Sequence, residues 1–430
     1  MTLKDQGRIF FLTILIGVFS GLAAVLFQFL ADWITAYFLL AKVHGQFWTF
    51  ALTAFPLMIG GALASGILMY RFAPDASGSG IPQVKAAYRH GKTVFSWNVL
   101  WVKFVGGVLA IGTGSSLGRE GPTVHIGAAL ASRIAVMGGE SEAARGNAIC
   151  AGSAAGLAAA FNSPLAGVTL VLEEIAGGKN EEKFAGRSLL AAALAVSVVY
   201  LMMGNRAALP ISAQYPLRWT VFWISPLIAL VAGAFGILFQ KFTLQLRGRI
   251  RNSRIPAWGR PAVGAAIGCC AALAAFAVTG NTGIFGLGES QVIAALNSQI
   301  LWRMAGYLAV AKLISTIFCY GSGGCGGIFA PILFFGGMCG LFVSGCLQHW
   351  FDLAATDMTL LTIVGMTACL AAVMRAPLTS LLIVFEMTRE VSVLPALMVA
   401  AVMGVFMNRI FFRGNFYDAV LAQDGVRMEQ

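Results

Sequence analysis

A glutamate set among glycines is the residue of this chain best placed to do chemistry. The stretch Gly114-Ser-Ser-Leu-Gly118-Arg119-Glu120-Gly121-Pro122 puts an arginine and a carboxylate between two uncharged segments, residues 104–117 and 123–130. An ionisable group at membrane depth is costly and marks a functional site by default. The glycines loosen the backbone, and a proline suits the first turn of a helix, where its missing N–H would have no partner. The stretch therefore predicts a broken helix whose second half starts near Glu120, with free N–H groups facing a cavity. A helix end of that kind attracts anions.

Two more glycine-rich turns share this form. Asp75-Ala-Ser-Gly78-Ser79-Gly80-Ile81-Pro82 and Gly321-Ser-Gly-Gly-Cys-Gly326-Gly327-Ile328-Phe329-Ala330-Pro331 each set glycines before a proline near a helix start. Three positive helix ends and the Ser79 hydroxyl would coordinate an anion through partial charges, weakly enough to release it. A single such turn is explained equally well by close helix packing; the three together point to anion chemistry. The rival chemistry is an intramembrane serine hydrolase using Ser79 or Ser322, for which His125 is the nearby base. The histidines at 44, 90, 125 and 349 have no metal-ligand spacing, so neither metal nor cofactor is expected. The cysteines at 150, 269, 270, 319, 325, 339, 346 and 369 form no CxxC pair and read as small buried hydrophobes.

The elements that position these residues are membrane helices. Of 430 residues, 58% are apolar and 11% charged, with a mean hydropathy of +0.80; soluble proteins average about 25% charged residues. Uncharged runs such as 9–31, 219–240 and 313–348 reach the roughly 20 residues a spanning helix needs, whereas 358–374 falls short. Tilted, kinked and re-entrant helices are therefore expected. Residues 9–31 are followed by no cleavage pattern and read as a retained helix. The net charge of +11 is no nucleic-acid signature, because Lys241, Arg247, Arg249, Arg251, Arg254 and Arg260 crowd one loop. That loop, like Lys4 and Arg8, reads as cytoplasmic.

The chain also repeats itself. Phe161-Asn-Ser-Pro164-Leu through Glu173 matches Met374-Arg-Ala-Pro377-Leu through Glu386, an offset of 213 residues, and Gly118–Pro122 matches Gly327–Pro331 at an offset of 209. The first helix starts on the basic, cytoplasmic side, and its counterpart from Trp219 ends there, so the two copies cross in opposite directions. This predicts an all-α inverted-topology repeat, 1–216 and 217–430, with a site where broken helices from both halves meet. The few residues after Tyr417 leave no room for a further folded domain.

GSGIP, GREGP and GGIFAP, in this order, resemble the motifs of the CLC family of chloride channels and chloride/proton exchangers. The likeness extends to Phe416-Tyr417-Asp418, although a Pro-Leu-Tyr form is more usual there in bacterial members. It implies a homodimer in the bacterial inner membrane, with both termini cytoplasmic, that exchanges chloride for protons. The absence of nucleotide-binding modules after the last helix agrees with a bacterial type. By the same resemblance, Ser79 and Tyr417 hold the central anion through their hydroxyls, and Ile328 and Phe329 hold it through their N–H groups. Gly78, Gly80, Pro82, Gly118, Arg119, Gly121, Pro122, Gly327 and Pro331 support them. Glu120 is the gating glutamate, displaced when protonated; its competing role is an ion pair with Arg119. Glu174 matches the internal proton glutamate of exchangers, against a plain solvated carboxylate, and Glu173 is structural. A passive chloride channel is the alternative on the same scaffold. Serine at position 79 accompanies chloride in this family, where proline accompanies nitrate.

Overall fold

The computed structural model describes residues 3–43, 47–177, 184–212, 218–412 and 414–426. His44 and the 216/217 junction fall outside the described residues. Among the described residues the regular elements are helices, and they run twice through the same series. The first series is α1 (Leu3–Ile34), α2 (Phe47–Phe72), α3 (Ile81–Arg89), α4 (Trp97–Gly112), α5 (Glu120–Met137), α6 (Glu142–Phe161), α7 (Pro164–Leu170) and α8 (Ala185–Met203). The second is α9 (Trp219–Arg251), α10 (Arg260–Thr279), α11 (Glu289–Leu296), α12 (Trp302–Gly321), α13 (Phe329–Phe351), α14 (Ala355–Met374), α15 (Pro377–Thr388) and α16 (Leu394–Phe411). A last helix, α17 (Phe416–Gln423), has no counterpart.

Nine helical stretches among the described residues are long and apolar enough to cross a membrane, and the chain is a multi-pass membrane protein. Short pieces interrupt the series: α3, α7, α11 and α17 have 9, 7, 8 and 8 residues, the last of them ending the ninth stretch, Leu394–Gln423. These are the interrupted helices that the uneven uncharged runs predict. Proline sits in the first turn of α3, α7 and α15, where it costs no hydrogen bond.

Helices α13 and α14 form the centre, with 83% and 94% of their most apolar windows buried, against 33% for α8 at the edge. Close approach there depends on absent side chains. A Cβ on Gly127 would strike the Gly152 carbonyl where α5 meets α6, and one on Gly336 would lie 2.8 Å from the Gly365 carbonyl where α13 meets α14. These are matching positions of the two series. Without a hydrophobic drive inside lipid, such small-residue contacts supply the dispersion energy that holds helices together.

Two pairs of polar contacts tie the halves by the same symmetry. The Glu173 carboxylate accepts from Leu378 and Thr379 N–H, at 3.1 and 2.8 Å, in the first turn of α15. The Glu386 carboxylate accepts from Leu165 and Ala166 N–H, at 3.1 and 2.8 Å, in the first turn of α7. Each short helix thus has its free donors capped by the other half's glutamate. Lys103 and Lys312, 209 residues apart, are fully buried with their ammoniums on carbonyls. Lys103 Nζ donates to Ala76 O (3.0 Å) and Gly78 O (2.5 Å) ahead of α3. Lys312 Nζ donates to Gly283, Ile284 and Gly286 O, at 3.1, 3.1 and 2.7 Å, ahead of α11. Each ammonium fixes the loop that launches a short helix.

Candidate functional site

The three glycine-rich turns are joined through their backbones. Gly118 N donates to Gly327 O (2.8 Å) and Gly327 N to Gly118 O (2.6 Å), a reciprocal bridge between the turns before α5 and α13. Gly326 N donates to Gly78 O (3.1 Å), which draws in the turn before α3. That turn needs φ of +97° at Gly80, a value side chains resist. The starts of α3, α5 and α13 therefore converge, as the motif spacing predicts.

Glu120 sits at the convergence as the first residue of α5 and is fully buried. Its Oε1 accepts from Phe329 N at 2.5 Å and Ala330 N at 3.3 Å, in the opening turn of α13; Oε2 has no partner. Room for the carboxylate comes from Gly118 and Gly327, where an added Cβ would collide with it. Arg119 does not neutralise it. The guanidinium turns away to Glu289 (2.9 Å) and the Ala160 carbonyl (3.1 Å), so the expected rival ion pair is overturned. Neighbouring residues at a helix start point in different directions. The donors on Glu120 come from Phe329 and Ala330, just past the N-cap residue Ile328.

Below this cradle the Ser79 and Tyr417 hydroxyls face each other at 3.4 Å, both residues buried. They come from the start of α3 and from α17, 338 residues apart in sequence. Gly121 leaves space for Ser79, whose hydroxyl a Cβ there would strike. His125 is buried against Phe95, with neither ring nitrogen hydrogen-bonded, and the Ser322 hydroxyl is unpaired too. The serine–histidine pair that a hydrolase requires is therefore not formed. Among the described residues no group of three potential metal ligands occurs. All eight cysteines are free thiols, and two of them, Cys270 and Cys346, are exposed rather than buried as expected.

Glu174 is not solvated either. It lies on a π-helical turn, Val171–Ala176, and is 1% exposed, which overturns the plain-carboxylate reading. Such turns recur at functional positions because the wider spiral re-aims side chains. Lys85 Nζ of α3 pairs with Glu174 Oε1 at 2.9 Å and with Asp418 Oδ1 at 2.6 Å. Asn415 Nδ2 donates to Glu174 Oε2 at 2.8 Å. Lys85, Asn415 and Asp418 escape the sequence reading. The available signal was an asparagine directly before a helical run, a standard N-cap, and a lone lysine six residues past Ser79 in a charge-poor region. A cavity of about 180 Å³ adjoins the turns; Ser77, Ser322, Gly323, Arg247, Arg251 and Arg260 are among its lining residues.

Comparison with known proteins places this geometry in context. The family model described as Voltage gated chloride channel matches residues 60–409. The H(+)/Cl(-) exchange transporter ClcA of Cronobacter sakazakii is 33% identical over 99% of this chain and 92% of its own length. The protein of the same name from Vibrio cholerae serotype O1 is 32% identical over 97% and 90%. The crystal structure of a slow cyanobacterial Cl-/H+ antiporter superposes with a TM-score of 0.85 at 26% identity, over 97% and 98% of the two chains.

Proposed function

The chain belongs to the voltage-gated chloride channel (CLC) family, and we propose that it is a chloride/proton antiporter in which Glu120 serves both ions. The observation that carries this reading is the Glu120 carboxylate seated on the Phe329 and Ala330 N–H groups, with no ion pair to it among the described residues. A carboxylate and a chloride want the same donors and repel each other, so they occupy the cradle by turns. Protonation removes the carboxylate's charge and its claim on the donors. Chloride then enters, and the protonated side chain, swung out, delivers its proton. One group thus alternates between blocking the anion and carrying the proton.

In this reading Ser79 and Tyr417 hold the central chloride through their hydroxyls, with the N–H groups of Ile328 and Phe329 completing the site. Gly78, Gly80, Pro82, Gly118, Arg119, Gly121, Pro122, Gly327 and Pro331 shape it. Glu174 receives protons from the cytoplasm and passes them toward Glu120, and its enclosure by Lys85 and Asn415 supports a role beyond solubility. The arginine-lined cavity is the cytoplasmic mouth. The names of the ClcA relatives support chloride and protons as the pair exchanged. Two repeats, 1–216 and 217–430, a homodimeric assembly, and a bacterial inner-membrane location with both termini cytoplasmic complete the proposal.

The test is reconstitution in liposomes with a chloride gradient, recording both ions at once. Protons driven uphill by chloride support the antiporter. Chloride flux without proton movement makes the protein a passive channel, and no chloride flux at all, beside an active control, removes the anion reading.

A further inference from the structure

We propose that Asn415 is a positioning residue that mechanically joins the proton site to the anion site, an inference that rests on the antiporter reading above. Its side-chain amide faces two ways. Nδ2 donates to Glu174 Oε2 at 2.8 Å and, more weakly, to the Met374 carbonyl at 3.3 Å. Oδ1 accepts from Tyr417 N at 2.8 Å and Asp418 N at 3.4 Å, capping α17. The amide is planar, so the two sets of bonds cannot move independently. Tyr417, whose N–H it holds, carries the hydroxyl facing Ser79.

Of the other groups around Glu174, Lys85 also reaches α17, through Asp418, and is left intact by a change at Asn415. Lys85 binds the opposite carboxylate oxygen, Oε1, and keeps Asp418 as a second anionic partner whatever the charge on Glu174. Arg89, further along α3, donates to the Ile175 carbonyl at 3.4 Å. When Glu174 takes up a proton, its charge-assisted bond from Nδ2 weakens. The amide relaxes, the cap on α17 loosens, and the Tyr417 hydroxyl shifts at the anion site. Proton loading is thereby felt by chloride before Glu120 moves.

Asn415→Ser separates the two jobs, since serine keeps a capping oxygen but cannot reach Glu174. Flux of both ions is measured in proteoliposomes, and the readout is protons moved per chloride, a ratio independent of how much protein is folded. Asn415→Ser is read through that ratio rather than through chloride flux alone. The proton-to-chloride ratio should fall about tenfold, the scale of one hydrogen bond to a charged group. If serine is not tolerated, Asn415→Asp retains a strong cap but turns an acceptor toward Glu174, and it should lower the ratio likewise. A wild-type ratio in either folded variant overturns the link and leaves Asn415 a cap only. Wild-type protein that moves chloride without protons in the same vesicles is a different failure, that of the antiporter reading itself.

Discussion

Glu120 combines two features that buried carboxylates seldom share, backbone donors on one oxygen and, among the described residues, no ion pair on either. A salt bridge to Arg119 would have locked it in place; Glu289 takes that arginine instead. In the proposed site the hydroxyls of Ser79 and Tyr417 would add donors without net charge, which keeps binding shallow. Tyr417→Phe removes one of them, and chloride affinity should drop roughly fivefold, as for one neutral hydrogen bond of about 1 kcal/mol. Isothermal titration with chloride in detergent checks this; unchanged affinity would exclude the hydroxyl from the anion site. Ser79 and Glu120 stand in glycine-rich turns whose residue types suggest an anion, whereas Tyr417 was reached by family resemblance alone; the fold sets its hydroxyl 3.4 Å from that of Ser79. Lys85 and Asn415 were not readable, since their meaning lies in reaching Glu174 from positions 89 and 241 residues away along the chain. That Glu120 itself rests on the Phe329 and Ala330 N–H groups was not readable, because a helix start depends on local dihedrals that no motif encodes.

The same limit operates among the elements. The nine-residue spacing from Pro164 to Glu173 and from Pro377 to Glu386 identified two matching helices, and Glu173 was read as structural. That each glutamate caps the other half's helix could not be read, because it requires the two halves to face each other. Glu386→Ala strips the cap from α7 and Glu173→Ala that from α15. Each should lower stability by about 1 kcal/mol, seen as a reduced midpoint of thermal unfolding in detergent. Equal midpoints for wild type and both variants would mean that the contacts are too exposed to matter. Lys312→Met should be costlier, since three buried carbonyls lose one ammonium. Lys103 and Lys312 fall at equivalent places in the two series, yet in sequence each is merely a lone lysine in an apolar helix.

Across the whole molecule the fold follows from composition and repetition. Uncharged runs of unequal length foretold long spanning helices and short interrupted ones, and the offsets of 209 and 213 residues foretold two copies. The basic cluster read as one loop lies largely on the last turns of α9, with Arg260 opening α10; its place in the wall of a cavity beside the glycine-rich turns was not legible, since that comes from α9 and α10 closing over the loop before α3. If Arg247, Arg251 and Arg260 draw chloride to that mouth, Arg260→Gln should slow chloride entry from that side by about twofold at low salt. The difference should vanish near 1 M salt, where the Debye length is roughly 3 Å. A deficit that persists at high salt would point to a structural role for the arginine. The claim on which everything else depends is that one carboxylate both blocks chloride and carries the proton. Glu120→Gln keeps the shape and removes the charge and the titration. In liposomes under a chloride gradient, chloride flux should continue while proton movement ceases; protons still driven uphill by chloride in that variant would contradict the shared role of Glu120.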